Sequence, residues 1–194
     1  MCTFSKTISN GFAMAAVIGR RDVMAPAAAS FISTTYHTER IGPAAAIATI
    51  KKMRESGAIE HNNAMGRLIK EGLLSAANKT GLEIQVSGID CWASFKFGKD
   101  TEAVSIAPKP QSGSPMMTLY TQEMLKRGFL SYGTSMPTFA HKQKHSDMCL
   151  NAAEDVFGIL ARWRRAERGD ETKMVKYLQG PIAGPPAIPK RLVR

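Results

Sequence analysis

The spacing of hydrophobic residues in the first part of the chain predicts one strand followed by helices. The apolar run at residues 13–18 is short and continuous, which is typical of a buried strand. Residues 33–40 are polar and irregular, so they predict a loop. Beyond them, apolar side chains recur every three or four residues over about 42–57 and 61–78, and each stretch ends near a glycine. This spacing predicts two helices.

The spacing changes to a period of two in the second half. Apolar and polar residues alternate at 82–86 and again at 91–97, which predicts two half-buried strands. We expect these strands to be adjacent and antiparallel across Gly88. A helix is predicted over about 118–127, and the apolar residues 129–132 predict a third strand.

A long amphipathic helix is predicted after Ser146, which suits the N-cap position. Its apolar stripe has helical spacing and consists of Cys149, Ala153, Val156, Phe157, Leu160 and Trp163. Strands covered by helices predict a small α/β domain at 81–179. Residues 1–80 contain one predicted strand without partners, so we expect their fold to be incomplete at its N-terminal edge. Residues 180–194 contain four prolines and two glycines and predict a disordered tail.

Composition narrows the class of protein. The chain has 194 residues, of which 44% are hydrophobic and 22% charged, and this suits a globular protein. Three cysteines, odd in number and far apart, argue against a disulfide framework and favour a reducing compartment, so we expect a cytoplasmic location. No apolar run is long enough to cross a membrane. The histidines and cysteines have no metal-ligand spacing, so no metal site is predicted.

The charge is strongly basic, with a formal net value of +10. Residues 162–194 hold nine basic and three acidic side chains, which accounts for +6 of that value. A basic end of this kind can bind nucleic acid through phosphate contacts. The alternative is a solvated helix face, and we favour it because no aromatic residues are interleaved with the basic ones.

Candidate chemistry is concentrated near the start of the chain. Lys6 lies in a polar segment, bounded by Gly11, that precedes the predicted strand at residues 13–18. A lysine held between buried segments can lose proton affinity through desolvation and act as an amine nucleophile. A lone lysine in a turn is also commonly an ordinary residue whose side chain faces solvent. The spacing alone therefore leaves both interpretations open.

Two longer segments carry a family resemblance. The stretch TFSKTISNGFAMAAVIGRRDVM and the later stretch FISTTYHTERIGPAAAIATI resemble consecutive blocks of the class III, fold-type I pyridoxal-phosphate aminotransferases. The glutamate-1-semialdehyde 2,1-aminomutase branch is the nearest in pattern. The resemblance implies an α/β fold in which residues 1–80 are a remnant of the cofactor-binding large domain, and 81–179 form the small C-terminal domain.

The resemblance also implies roles for particular residues. Lys6 matches the lysine that carries pyridoxal 5'-phosphate (PLP) as an imine. Thr35 matches the loop threonine that reaches the cofactor phosphate of the neighbouring subunit, with Thr34 as the alternative one position away. The implied reaction moves an amino group between small amino and oxo substrates, by a transaminase or an aminomutase, in a homodimer. His37 lies in the same loop and is predicted to have no role.

The family pattern places several groups before the lysine: most of the sheet of the large domain, the carboxylate that pairs with the pyridine nitrogen, the ring-stacking aromatic and the phosphate-holding segment. This sequence begins five residues before Lys6. We therefore expect a C-terminal fragment that binds cofactor weakly and has little or no turnover alone. A noncatalytic basic remnant or nucleic-acid-binding module is the alternative hypothesis.

Overall fold

The computed structural model describes residues 1–98 and 114–179. The chain divides into two compact units, residues 1–59 and residues 60–194, and each is described by itself. The predicted boundary after residue 80 therefore does not coincide with this division. The predicted tail lies outside the described residues. Within the described part, no helix is long and apolar enough to cross a membrane.

The first unit begins with a two-stranded antiparallel sheet. Strand β1 (Cys2–Phe4) pairs with β2 (Ala16–Ile18), so that Cys2 lies opposite Ile18. The strand predicted at 13–18 is confirmed in part, whereas β1 was not predicted. The expectation that this strand is buried is wrong, because Val17 and Ile18 are 48% and 57% exposed. A sheet of only two short strands is too small to bury both of its faces.

Short helices and one longer helix complete the first unit. Helix α1 (Arg21–Met24) continues as a 3-10 helix over Ala25–Ala29. The predicted loop at 33–40 is confirmed, and helix α2 (Ile41–Ser56) follows it. Gly57 ends α2 at a φ of 67°, in the left-handed region that favours glycine.

Helix α3 (Ala58–Thr80) begins at the division and contributes its apolar face to the core of the second unit. Gly66 on this helix allows a close backbone approach, because a Cβ there would lie 1.6 Å from the carbonyl oxygen of Asp90. Asp90 in turn accepts hydrogen bonds from Arg67 at 2.8 Å and Lys70 at 3.1 Å. These contacts fix α3 against the loop at residues 88–92, which contains Asp90.

A three-stranded antiparallel sheet lies in the second unit. Its strands are β3 (Ile84–Ser87), β4 (Ala93–Phe97) and β5 (Thr134–Ser135), in the order β3-β4-β5. The prediction of β3 and β4 is confirmed. The third strand was predicted at 129–132 and is wrong in position, because the Phe129 N–H donates to the Met124 carbonyl and so closes the end of a helix instead of pairing with β4.

Two further helices cover the sheet. Helix α4 (Pro115–Lys126) starts at Ser114, whose hydroxyl oxygen accepts from the Met117 N–H at 3.4 Å. Helix α5 (Gln143–Ala166) starts before the predicted N-cap, Ser146, which lies buried in its first turn. The N-cap position is held instead by Lys142, whose backbone N–H donates to the Nδ1 of His145 at 3.1 Å. The predicted cap at Ser146 is therefore wrong.

Aromatic rings occupy the centre of the core between this sheet and these helices. Phe95 contacts Tyr120 and Phe157 edge to face, with ring centroids 5.0 and 5.5 Å apart, and Phe97 contacts Phe157 at 5.8 Å. Each such pair contributes about 0.5–1.5 kcal/mol beyond its area of burial. The other fully buried side chains are Met116, Leu119, Met124, Val156, Leu160 and Met174.

Candidate functional site

The turn between β1 and β2 holds Lys6 in an unusual backbone conformation. Residues Lys6–Ile8 form a single 3-10 turn, and Lys6 has a φ of 53°. Asn10, four residues later, has a φ of 48°. Left-handed backbone is uncommon for residues other than glycine and costs about 1–2 kcal/mol for each. Such strain is concentrated at functional sites, where the surrounding structure maintains it.

A buried serine closes this turn. Ser9 is 1% exposed, and its hydroxyl donates to the Phe12 carbonyl at 2.6 Å. Backbone bonds from Ile8 to Ser5 and from Phe12 to Ser9, both 3.4 Å long, complete it. The turn therefore depends on one short side-chain bond and two long backbone bonds.

The Lys6 side chain is exposed, and no carboxylate in residues 1–98 or 114–179 pairs with it. The described residues thus leave a primary amine open to solvent. The sequence predicted that burial of the flanking segments would shield Lys6 from water, and the described residues do not provide that shielding. The amine is nevertheless accessible to an incoming aldehyde.

The predicted threonine lies in the loop before α2. Thr34 and Thr35 are both exposed, and the Thr34 carbonyl accepts from the His37 N–H at 3.1 Å. His37 is also exposed. The choice between Thr34 and Thr35 stays a prediction, since both hydroxyls are open in this loop.

The loop ends at a helix cap. Glu39 accepts from the backbone N–H groups of Ile41 at 2.6 Å and Gly42 at 2.8 Å. A carboxylate at this position satisfies two free donors at the start of α2 and is stabilised by the helix dipole. Glu39 therefore supplies the contact that caps the start of α2.

A glycine contact connects this cap with the segment after the lysine turn. A Cβ at Gly42 would lie 2.8 Å from the Ala13 carbonyl oxygen and 3.2 Å from the Met14 Cβ. The 3-10 turn at Lys6–Ile8 also contacts α2. The lysine turn and the threonine loop, which the sequence predicted as parts of one site, are therefore both anchored to the same helix.

The second unit contains a cavity that sequence reasoning missed. It has a volume of about 580 Å³, and neither Lys6 nor Thr35 lines it. Three of its lining residues, His145, Cys149 and Ala153, are four residues apart on α5, which is the signal that could have found it. Burial raises the pKa of the Cys149 thiol, which disfavours the reactive thiolate form.

The charged groups of the described chain suggest no metal centre. Within residues 1–98 and 114–179, no three or more histidine, cysteine, aspartate or glutamate side chains are grouped so that they could hold a metal ion. Cys2, Cys91 and Cys149 are all free. Candidate chemistry therefore depends on the Lys6 turn and the loop that precedes α2.

Comparison with known proteins bears directly on these two segments. The family model described as aminotransferase class-III matches residues 1–153, a range that includes the lysine turn, the threonine loop and the sheet of the second unit. The chain belongs to the class III aminotransferase family. The family resemblance of the sequence is thereby confirmed.

Individual class III relatives match most of this chain. The glutamate-1-semialdehyde 2,1-aminomutase of Caldivirga maquilingensis is 28% identical over 167 residues, which cover 82% of this chain and 39% of the relative. The 4-aminobutyrate aminotransferase GabT of Escherichia coli K12 is 34% identical over 100 residues, which cover 52% of this chain and 24% of that protein. The chain thus spans about two fifths or less of these relatives.

Solved structures confirm the fold. The FumI protein of Sphingopyxis sp. MTA144, in its PLP internal aldimine form, superposes with a TM-score of 0.71 at 20% identity, over 89% of this chain and 39% of that one. A transaminase with PLP bound gives a TM-score of 0.67 at 19% identity, over 84% of this chain and 39% of the other. The α/β fold expected from the family resemblance is therefore confirmed.

Proposed function

We propose that this chain carries the lysine of a PLP-dependent enzyme that transfers an amino group, either a transaminase or an aminomutase of the glutamate-1-semialdehyde type. The observation that carries the proposal is the left-handed turn at Lys6, which lies inside the segment that matches the class III family. The substrates would be small amino and oxo compounds. Relatives of both reaction types match the chain, so the choice between the two stays open.

The donor groups of the first unit fit part of what PLP requires. An exposed primary amine that forms no ion pair with a carboxylate can react with the aldehyde. Within the described residues, Lys6 is such an amine. Hydroxyl groups can donate hydrogen bonds to a phosphate, and the exposed Thr35, or Thr34 beside it, provides one. The segment that holds both is anchored to α2 by the contact between Gly42 and Ala13.

Bound PLP supplies an aldehyde for amine attachment and a ring that withdraws electrons from the substrate carbon. Lys6 would hold the cofactor until an amino substrate displaces its amine. The freed Lys6 amine would then take the proton from the substrate Cα and deliver it to another carbon of the bound substrate or cofactor. Thr35 would orient the cofactor by donating its hydroxyl to the phosphate, from the neighbouring subunit of a homodimer.

The activity of the chain by itself is a separate part of the proposal. The chain spans 39% of the aminomutase relative. We propose that it binds PLP weakly, with little or no turnover alone. A cytoplasmic location and a division into residues 1–80, 81–179 and a tail at 180–194 remain part of the same proposal.

Covalent trapping tests the proposal without requiring turnover. The full chain is mixed with PLP, reduced with borohydride and digested, and the modified lysines are quantified by mass spectrometry. We expect the peptide that contains Lys6 to be modified at lower PLP concentrations than the other lysine peptides. Lys52 on α2 is a suitable comparison, because it is exposed as Lys6 is.

Two matched variants sharpen the result. Lys6→Arg should remove the most reactive position and leave only slow, unselective labelling, whereas Lys52→Arg should leave the Lys6 labelling unchanged. Equal labelling of Lys6 and Lys52 at every PLP concentration would contradict the proposal. Strong turnover by the chain alone would leave the Lys6 assignment intact and contradict the expected inactivity.

A further inference from the structure

Three arginines surround a pocket at the ends of two helices in the second unit. Arg164 and Arg165 lie in the last turn of α5, and Arg168 follows that helix. Together with Gly81, Leu82, Ala161 and Gly169 they line a cavity of about 380 Å³, which we call the arginine pocket. This volume lies in the range of about 300–1,000 Å³ that is usual for small-molecule sites.

The arginine pocket carries positive charge that no described carboxylate neutralises. No aspartate or glutamate within residues 1–98 and 114–179 forms an ion pair with Arg164, Arg165 or Arg168. Among the described residues, the buried Nε atom of Arg164 has no hydrogen-bond partner. A buried donor without a partner is costly, so this guanidinium is not fully satisfied by the described part of the chain.

The acidic residues nearest in sequence are already paired. Glu167 is buried and accepts from Lys176 at 2.5 Å and Tyr177 at 2.8 Å. Asp170 accepts from the Thr172 hydroxyl at 2.6 Å and pairs with Lys173 at 3.2 Å. Both carboxylates thus have partners other than the three arginines, so the positive charge of the pocket is retained.

The negative ends of the two helix dipoles are too weak to neutralise the charge of the three arginines. The C-terminal ends of α3 and α5 both border the pocket, and each contributes about half a negative charge. Their sum of about one negative charge is small against three guanidinium groups. The carbonyl groups at both ends are moreover satisfied locally, since Leu82 N–H donates to the Ala77 carbonyl and Gly169 N–H to the Arg164 carbonyl.

We propose that the arginine pocket binds a small anion that carries a phosphate or diphosphate group. Guanidinium groups present forked pairs of N–H donors that match the oxygens of a phosphate, and three of them can neutralise a multiply charged anion. Leu82 and Ala161 give the pocket an apolar wall for the uncharged part of such a molecule. The site is independent of the Lys6 turn, which does not line it.

Titration calorimetry with inorganic pyrophosphate tests this site on the full chain. Measured in a phosphate-free buffer at fixed ionic strength, the protein should bind one pyrophosphate per chain. Arg164→Gln and Arg168→Gln should each weaken binding about tenfold or more, as expected for the loss of charge-assisted hydrogen bonds. Arg162→Gln removes the same charge from an exposed position on the same helix, outside the pocket, and should change affinity less than about twofold.

Further arms separate the alternatives. Arg164→Lys keeps the charge but loses the fork, so it should bind with intermediate affinity, and circular dichroism checks that each variant is folded. Lys6→Ala should bind pyrophosphate as the unaltered chain does, which separates this site from PLP binding. Absence of pyrophosphate binding, or an equal loss in Arg162→Gln, overturns the proposal. Binding of a single-stranded oligonucleotide that pyrophosphate fails to displace would also overturn it, in favour of a nucleic-acid surface.

Discussion

The two units of this chain differ in how much apolar surface they bury. In residues 1–59 the buried positions are small, whereas several large apolar side chains are exposed, with Phe31 at 97% and Ile47 at 71%. The second unit buries three phenylalanines and a tyrosine around one centre. Burial of apolar surface is the main favourable contribution to folding. We therefore expect the second unit to provide most of the stability of the chain.

This difference places the candidate chemistry in the less buried unit. Lys6 and Thr35 both lie in residues 1–59, and the left-handed backbone at Lys6 is energetically costly there. Among the described residues, the bond from Ser9 and two long backbone bonds hold the turn, and the close approach of Gly42 places the residues after it against α2. The geometry of the site is thus more sensitive to single changes than the core of the second unit is.

The largest expected effect is a change in that core. Phe157 is fully buried, and its ring contacts those of Phe95, Phe97 and Tyr120. Phe157→Ala removes these contacts and leaves a cavity, so we expect a loss of about 3–5 kcal/mol in the free energy of unfolding. Urea denaturation followed by circular dichroism measures it.

Phe31→Ala is the matched control from the first unit. The same change at a side chain that is 97% exposed should alter the free energy of unfolding by less than about 0.5 kcal/mol. A similar loss for both variants would contradict the comparison, because it would show that Phe31 is covered in the folded protein in solution.

The second unit was also the easier one to predict from sequence. Alternation between Ile84 and Phe97 specified the β3–β4 pair, because one face of these strands is buried and the pattern has to follow it. Residues 129–132 are as apolar as a strand, yet Phe129 completes the end of α4. A short apolar run after a helix does not show which partner its backbone takes, and that choice depends on tertiary contacts.

The candidate site was predicted from sequence, but its backbone geometry was not. The family pattern predicted Lys6 and the loop around Thr35, and both lie in the range 1–153 that the class III family model matches. The sequence did not predict the left-handed backbone at Lys6, because the residues that favour this conformation are glycine and asparagine. Strand β1 was not predicted, because a strand of three residues is too short to show an alternation of apolar and polar side chains.

A smaller effect is expected at the cap of α2. Glu39→Ala removes the acceptor for the Ile41 and Gly42 N–H groups, and helix caps contribute about 1 kcal/mol. The amides at the start of α2 should exchange hydrogen about fivefold faster, while those of α5 stay unchanged. Glu55→Ala, at the other end of α2, should leave the Ile41 amide unaffected. Unchanged exchange of the Ile41 and Gly42 amides in Glu39→Ala would contradict the assignment of Glu39 as the cap.

The smallest effect concerns a surface charge of the second unit. A hydrogen bond from Arg67, and then one from Lys70, hold the pKa of Asp90 below its ordinary value of 3.8. A carboxyl with a lowered pKa in the folded state stabilises the protein above its unfolded pKa, and this contribution is lost as the pH falls through the folded value. Asp90→Asn should therefore lower the free energy of unfolding at neutral pH and flatten its decline below about pH 4.

A double-mutant cycle decides whether this effect comes from the ion pairs. With Arg67→Gln and Lys70→Gln already present, adding Asp90→Asn should change the pH dependence less than it does in the unaltered chain. The side chain of Asp90 is 36% exposed, so salt should weaken the coupling as well. An undiminished effect of Asp90→Asn on the pH dependence in that background would mean that groups other than Arg67 and Lys70 lower the pKa of Asp90, and would contradict the assignment to these two ion pairs.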